Sequence, residues 1–123
     1  MEEILFEKKG ETLIIYLPNE LDHHAAAKIR EQTDELFAGK RVRDVIFDYH
    51  HTYFMDSSGI GLVMGRYREV RYLKGNVFIV GVNDKVARFL DISGLYRVAK
   101  RCPDADTALA FIQNNREKRE ELE

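Results

Sequence analysis

Two hydroxyls and a carboxylate stand together in Phe54-Met55-Asp56-Ser57-Ser58-Gly59-Ile60-Gly61, where the residue pattern changes from strand-like to helical. The first backbone N–H groups of a helix have no partner within it, and the helix dipole favours negative charge at that end. A carboxylate or a phosphate is therefore well received there. Two chemistries fit. In one, Asp56 or Ser57 simply caps the helix. In the other, one serine is an exposed phosphoacceptor, and the short Asp56 side chain keeps the loop tight while the hydroxyl turns outward. Gly59, Gly61 and Gly65 also follow a strand and open a helix, but their spacing misses the G-x-G-x-x-G dinucleotide fingerprint by one residue. A chain this short cannot supply the two βαβαβ halves of that fold either, which sets nicotinamide and flavin aside.

All four histidines form adjacent pairs, His23-His24 and His50-His51, each just after an expected strand. A metal site or a Ser/His hydrolase is the chemistry such pairs would support. Neighbouring residues diverge on both strands and helices, so each pair offers one ligand at most. Neither H-E-x-x-H nor G-x-S-x-G occurs, and Cys102 is the single cysteine. A solvated histidine at a loop or helix start is the plainer account. Asp22, in Glu20-Leu21-Asp22-His23-His24, is a good N-cap for a helix whose first turn the histidines fill.

These residues need a scaffold, and strand and helix periodicities alternate along the chain as in one α/β unit. Ile4 to Lys8 and Thr12 to Leu17, joined through Lys9-Gly10-Glu11, read as an antiparallel hairpin. Helical spacing from Asp22 runs through Ala25, Ala26, Ile29, Thr33, Leu36 and Phe37, with Gly39 at a C′ position. Val42 to Asp48 reads as a central strand covered on both faces. The next helix is expected over Ser57 to Leu73, with Ile60, Val63, Met64, Tyr67 and Val70 inward and Arg66, Arg68, Glu69 and Lys74 largely off that stripe. Gly61 and Gly65, four apart, predict a close approach of this helix to the sheet. A strand over Asn76 to Val80, a short helix capped by Asn83 or Asp84 and ended by Gly94, a strand near Tyr96 to Ala99 and a helix from about Asp104 complete the expectation. The domain is assigned to residues 1–113 and the polar stretch 114–123 to a fraying tail.

The 123 residues are 45% apolar and 33% charged, which fits one domain with its own core and needs no metal or disulfide. A net charge of -2 gives no pull toward nucleic acid. No apolar run is longer than Leu13 to Leu17, which falls far short of the ~20 residues of a membrane span. With no secretory n-region or apolar h-region at its start, the expected compartment is the cytoplasm. No cofactor, no metal and no catalytic residue is expected, and the chain is expected to be a monomer.

Taken together, Glu20 to His24, Phe54 to Gly61, Gly65-Arg66-Tyr67 and Asp91-Ile92-Ser93-Gly94-Leu95 resemble the STAS domains, and within them the anti-sigma factor antagonists of the sporulation type. The resemblance covers about Thr12 to Ala110. It implies a single STAS domain, a mixed central sheet with an N-terminal antiparallel hairpin and about four helices. It implies that Ser57 is phosphorylated by the anti-sigma factor, itself a serine kinase, and that a separate serine phosphatase restores the hydroxyl. The unphosphorylated form would bind the anti-sigma factor and release the sigma factor, so partner switching would regulate transcription. Asp22, His23, Asp56, Ser58, Gly59 and Ile60 are then the expected partner surface. Asn19 departs from the family pattern, which usually has glycine there.

Overall fold

The computed structural model describes residues 5–39 and 41–122, with side chains through Lys118. In chain order its elements are β1 (Leu5–Lys9), β2 (Thr12–Tyr16), β3 (Glu20–Leu21), α1 (His23–Ala38), β4 (Asp44–Asp48), β5 (Phe54–Met55), α2 (Ser57–Arg71), β6 (Val77–Val80), α3 (Asp84–Ile92), β7 (Ala99–Cys102) and α4 (Ala105–Leu122). The five-stranded sheet has the order β1-β2-β4-β6-β7, antiparallel at the β1–β2 hairpin and parallel elsewhere. The hairpin is thus observed from Leu5, and Ile4 lies outside the described residues.

Leu13, Ile14 and Ile15, Val45 to Phe47, and Val77 to Val80 are buried without alternation, because helices cover both faces of the parallel strands. On one side Ile15, Phe47 and Ile79 pack with Ile29 of α1, Leu62 and Val63 of α2 and Leu90 of α3. On the other, Ile14, Ile46 and Phe78 pack with Ala108 and Ile112 of α4. The polar segment from Asn114 continues α4 to Leu122, and Glu123 lies outside the described residues.

Four expectations are corrected. The last strand is displaced, because Gly94 (φ 80°) ends α3 in the left-handed region and Leu95–Arg97 closes a 3₁₀ turn through Arg97 N–H to the Gly94 carbonyl. Strand pairing starts only at Ala99. Gly39 is a C-cap with right-handed φ (-73°), not a left-handed C′ residue. α2 stops at Arg71, short of Leu73, and Lys74 takes the positive φ (59°) that reverses the chain. The fourth concerns the glycines of α2. A Cβ at Gly61 or Gly65 would meet nothing within 4 Å, so neither marks a close approach. That approach is at Gly59, where a Cβ would lie 2.6 Å from Met55 Cε and 3.0 Å from Leu21 Cδ2.

Candidate functional site

The two-residue strands β3 and β5 pair in parallel, Glu20 with Phe54 and Leu21 with Met55, forming a second small sheet that the sequence pattern does not announce. Its ends are Asp22 and Asp56, so the starts of α1 and α2 are laid side by side. The loop before it is closed by Thr52 Oγ1 donating to the Pro18 carbonyl (2.7 Å) and Tyr53 N–H to the Asn19 carbonyl (2.9 Å). Asn19 is not among the described residues with positive φ, so this loop does not need a glycine there.

Each helix is capped by its aspartate, as the sequence suggests, but the two caps differ. Asp22 Oδ1 accepts from Ala25 N–H at 2.9 Å, a bond within its own turn. Asp56 Oδ1 accepts from Ser58 N–H at 2.8 Å, and its Oδ2 accepts from His23 N–H at 3.1 Å. One carboxylate therefore satisfies an orphan donor of each helix and ties their positive ends together. Asp56 N–H completes the tie by donating to the Leu21 carbonyl at 3.2 Å.

Around this bridge Ser57 is exposed at the first position of α2, while Ser58 is half-buried with its Oγ 3.2 Å from His23 Nδ1. Gly59 is buried against Met55 and Leu21, and Ile60 packs partly against the main core. The structure thus brings Asp22, His23, Asp56, Ser57 and Ser58 to one corner.

The alternative chemistry meets a different geometry. Ser58 and His23 do touch, but Asp56 reaches the His23 backbone nitrogen rather than its ring, so among the described residues no carboxylate orients the imidazole as a triad requires. His50 and His51 lie edge to face with ring centroids 5.1 Å apart, and among the described residues no group of three histidine, cysteine or acidic side chains could hold a metal.

Sequence reasoning missed Arg66, which the helical pattern places off the buried stripe. Its residue is only 3% exposed. The guanidinium donates to the Arg30 carbonyl (2.9 Å), Thr33 Oγ1 (2.7 Å), Asp34 Oδ1 (2.9 Å) and Glu69 Oε1 (2.8 Å), and stands 4.3 Å above the Phe37 ring. It clamps α2 onto α1 and so fixes the two capped ends relative to each other. Thr33 in the otherwise apolar row of α1 was the available signal, since a buried hydroxyl needs a partner.

Comparison with known proteins adds to this geometry. A family model described as the STAS domain matches residues 3–108. An anti-sigma F factor antagonist from Paenibacillus polymyxa is 35% identical over 96 residues, covering 78% of this chain and 82% of that protein. Among solved structures, the anti-sigma factor antagonist SpoIIAA in its unphosphorylated form has a TM-score of 0.75 at 26% identity, covering 90% of this chain and 98% of that one. The Bacillus cell fate determinant SpoIIAA in its phosphorylated form has a TM-score of 0.73 at 30% identity, covering 89% and 99%.

Proposed function

The chain belongs to the STAS domain family, and we propose that it is an anti-sigma factor antagonist of the SpoIIAA type whose switch is phosphorylation of Ser57. The observation that carries this reading is the division of labour at the corner. Asp56 engages both carboxylate oxygens in joining α1 to α2, while the neighbouring Ser57 hydroxyl is left exposed. The cap and the acceptor are therefore different residues, and among the described residues chemistry at Ser57 removes no hydrogen bond.

A phosphate at Ser57 adds about -1.5 to -2 charges beside Asp56. Within the chain, the positive ends of two helices offset that charge, so the domain keeps its structure. A partner surface shaped for a neutral serine has no such compensation, and a like-charge clash across an interface costs several kcal/mol. Binding is lost while the fold persists. The outer side of α2 favours such a partner: Gly61 and Gly65 follow Ser57 at four-residue intervals and carry no side chain to hold another backbone away.

In this reading the unphosphorylated chain binds the anti-sigma factor, a serine kinase, and frees the sigma factor. Phosphorylation ends binding, and a serine phosphatase resets the cycle. Asp22, His23, Asp56, Ser58 and Ile60 form the contact surface around Ser57, and the buried Gly59 seats that surface on Met55 and Leu21. The protein works in the cytoplasm as a monomer, in control of sporulation, and is not itself an enzyme. Incubation with an anti-sigma factor serine kinase and ATP, followed by intact-mass and tandem mass spectrometry, tests it. One phosphate on Ser57 is expected; an unmodified chain, or phosphate mainly on Ser58, overturns the assignment.

A further inference from the structure

Ser57 and Ser58 are adjacent hydroxyls of the same chemistry at the same helix start, so the phosphoacceptor assignment poses a selection problem. We infer that His23 is the residue that solves it, holding Ser58 out of the reaction so that phosphoryl transfer falls on Ser57. The inference rests on the phospho-switch reading and adds a specificity-determining residue to it.

Transfer requires a serine Oγ to form a bond to the γ-phosphorus of ATP while the bridging bond to ADP breaks and the hydroxyl proton passes to a base of the kinase. The oxygen must also be carried in line with the breaking bond, so an acceptor hydroxyl has to be free to rotate and to leave its own surface. Ser58 is held at two points. Its N–H donates to Asp56 Oδ1 at 2.8 Å, and its Oγ lies 3.2 Å from His23 Nδ1 across to the neighbouring helix. With the ring proton on Nε2, Nδ1 accepts a hydrogen bond from the serine hydroxyl; with a proton on Nδ1, it donates to an oxygen lone pair. Either way the oxygen is engaged inside the chain.

The backbone of His23 is itself fixed by its N–H to Asp56 Oδ2 at 3.1 Å, so the ring is delivered to Ser58 by the same carboxylate that positions Ser58. Ser58 is half-buried. Among the described residues no hydrogen bond holds the exposed Ser57 hydroxyl. The histidine at the first position of α1, which the sequence leaves as a solvated helix-start residue, thereby has a purpose distinct from metal binding or hydrolysis.

The test is a gain of modification, read beside a thermal melt of each variant, since unfolding would also free Ser58. Wild-type chain, Ser57→Ala, His23→Ala and the double variant Ser57→Ala/His23→Ala are each incubated with the same anti-sigma factor serine kinase and ATP, and phosphate is located by tandem mass spectrometry. Wild-type chain should carry phosphate on Ser57, and Ser57→Ala almost none. The double variant should acquire phosphate on Ser58 at a rate about tenfold above Ser57→Ala, the factor set by release of one hydrogen bond. His23→Ala should show a mixture of the two sites. If Ser58 stays unmodified in the double variant while wild-type Ser57 is phosphorylated, His23 is not the selector, yet the switch reading stands. A fall in Ser58 phosphorylation on loss of His23 would make the imidazole an activator and overturn the inference. Absence of phosphate on wild-type chain overturns both readings.

Discussion

The two sides of α2 are built on opposite principles. Its inner side holds Gly59, Leu62, Val63, Arg66 and Val70 buried, with Gly59 packed so that an added Cβ would displace Met55 and Leu21, and Arg66 gripped by four oxygen partners. Its outer side runs from the exposed Ser57 past Gly61 and Gly65, where added carbon would meet open space. Residues of the same type therefore have different meanings on the two sides. A glycine inside records contact already made within the domain, whereas a glycine outside leaves room for contact with something else.

Arg66 should show the largest effect. Arg66→Ala removes the lid from Phe37 and leaves Thr33 Oγ1 and the Arg30 carbonyl without their donor, so urea denaturation should record a loss of roughly 2–4 kcal/mol. Little of this comes from Asp34 and Glu69, whose side chains are 58% and 42% exposed and rehydrate freely. Arg68→Ala, on an exposed neighbour, should stay within about 0.5 kcal/mol of wild type. Equal losses from the two arginines would break the contrast.

The glycines sharpen it further. Gly59→Val forces carbon into Met55 and Leu21 and should cost about 2 kcal/mol. Gly61→Ala should instead stabilise α2 by up to about 1 kcal/mol, while weakening affinity for the anti-sigma factor. Thermal melts and calorimetric titration of both variants separate the two sides. A destabilised Gly61→Ala with full affinity would reverse the assignment.

The sequence revealed what depends on local chemistry. The hairpin around Gly10, the caps at Asp22, Asp56 and Asn83 and the buried strands were legible because capping, turn formation and apolar runs involve residues close in the chain. The position of Arg66 was not, since its burial depends on Arg30, Thr33, Asp34 and Phe37 of another helix. Neither was the β3–β5 pair, two residues per strand, too short for any alternation to register. At the site, the sequence marked Asp56, Ser57 and Ser58 as one unit and Asp22 as a cap, but only the fold joins His23 to both Asp56 and Ser58.

A smaller effect is expected at Asp22. Asp22→Ala should lower stability by about 1 kcal/mol through loss of the bond to Ala25 N–H. Its affinity for the anti-sigma factor should fall by more than that stability change, as measured by titration beside the melt. Unchanged affinity would leave Asp22 a cap alone and confine the interface to α2.

The smallest effect lies away from α2, at the start of β4, and serves as the contrast for all of these. Burial raises the Asp44 carboxyl above its ordinary value, although the Asn76 N–H at 2.7 Å from its Oδ1 works against that. The folded chain then holds this proton more tightly than the unfolded one, so stability falls as pH rises from the ordinary carboxylate range through the folded value. Asp44→Asn keeps an oxygen for Asn76 and removes the charge. It should flatten that slope in urea denaturation between mildly acid and neutral pH, at little cost in stability and none in partner binding. An unchanged slope would assign the pH dependence elsewhere.

The most direct measurement of the switch compares one interaction in two states. The unphosphorylated chain and the chain phosphorylated at Ser57 are each titrated calorimetrically against the anti-sigma factor, with urea denaturation of both forms alongside. Affinity should fall by about 100-fold or more on phosphorylation, equivalent to roughly 3 kcal/mol of clash at the interface, while the denaturation midpoints coincide. Equal affinities for the two forms, or a phosphorylated chain that unfolds, would contradict the account.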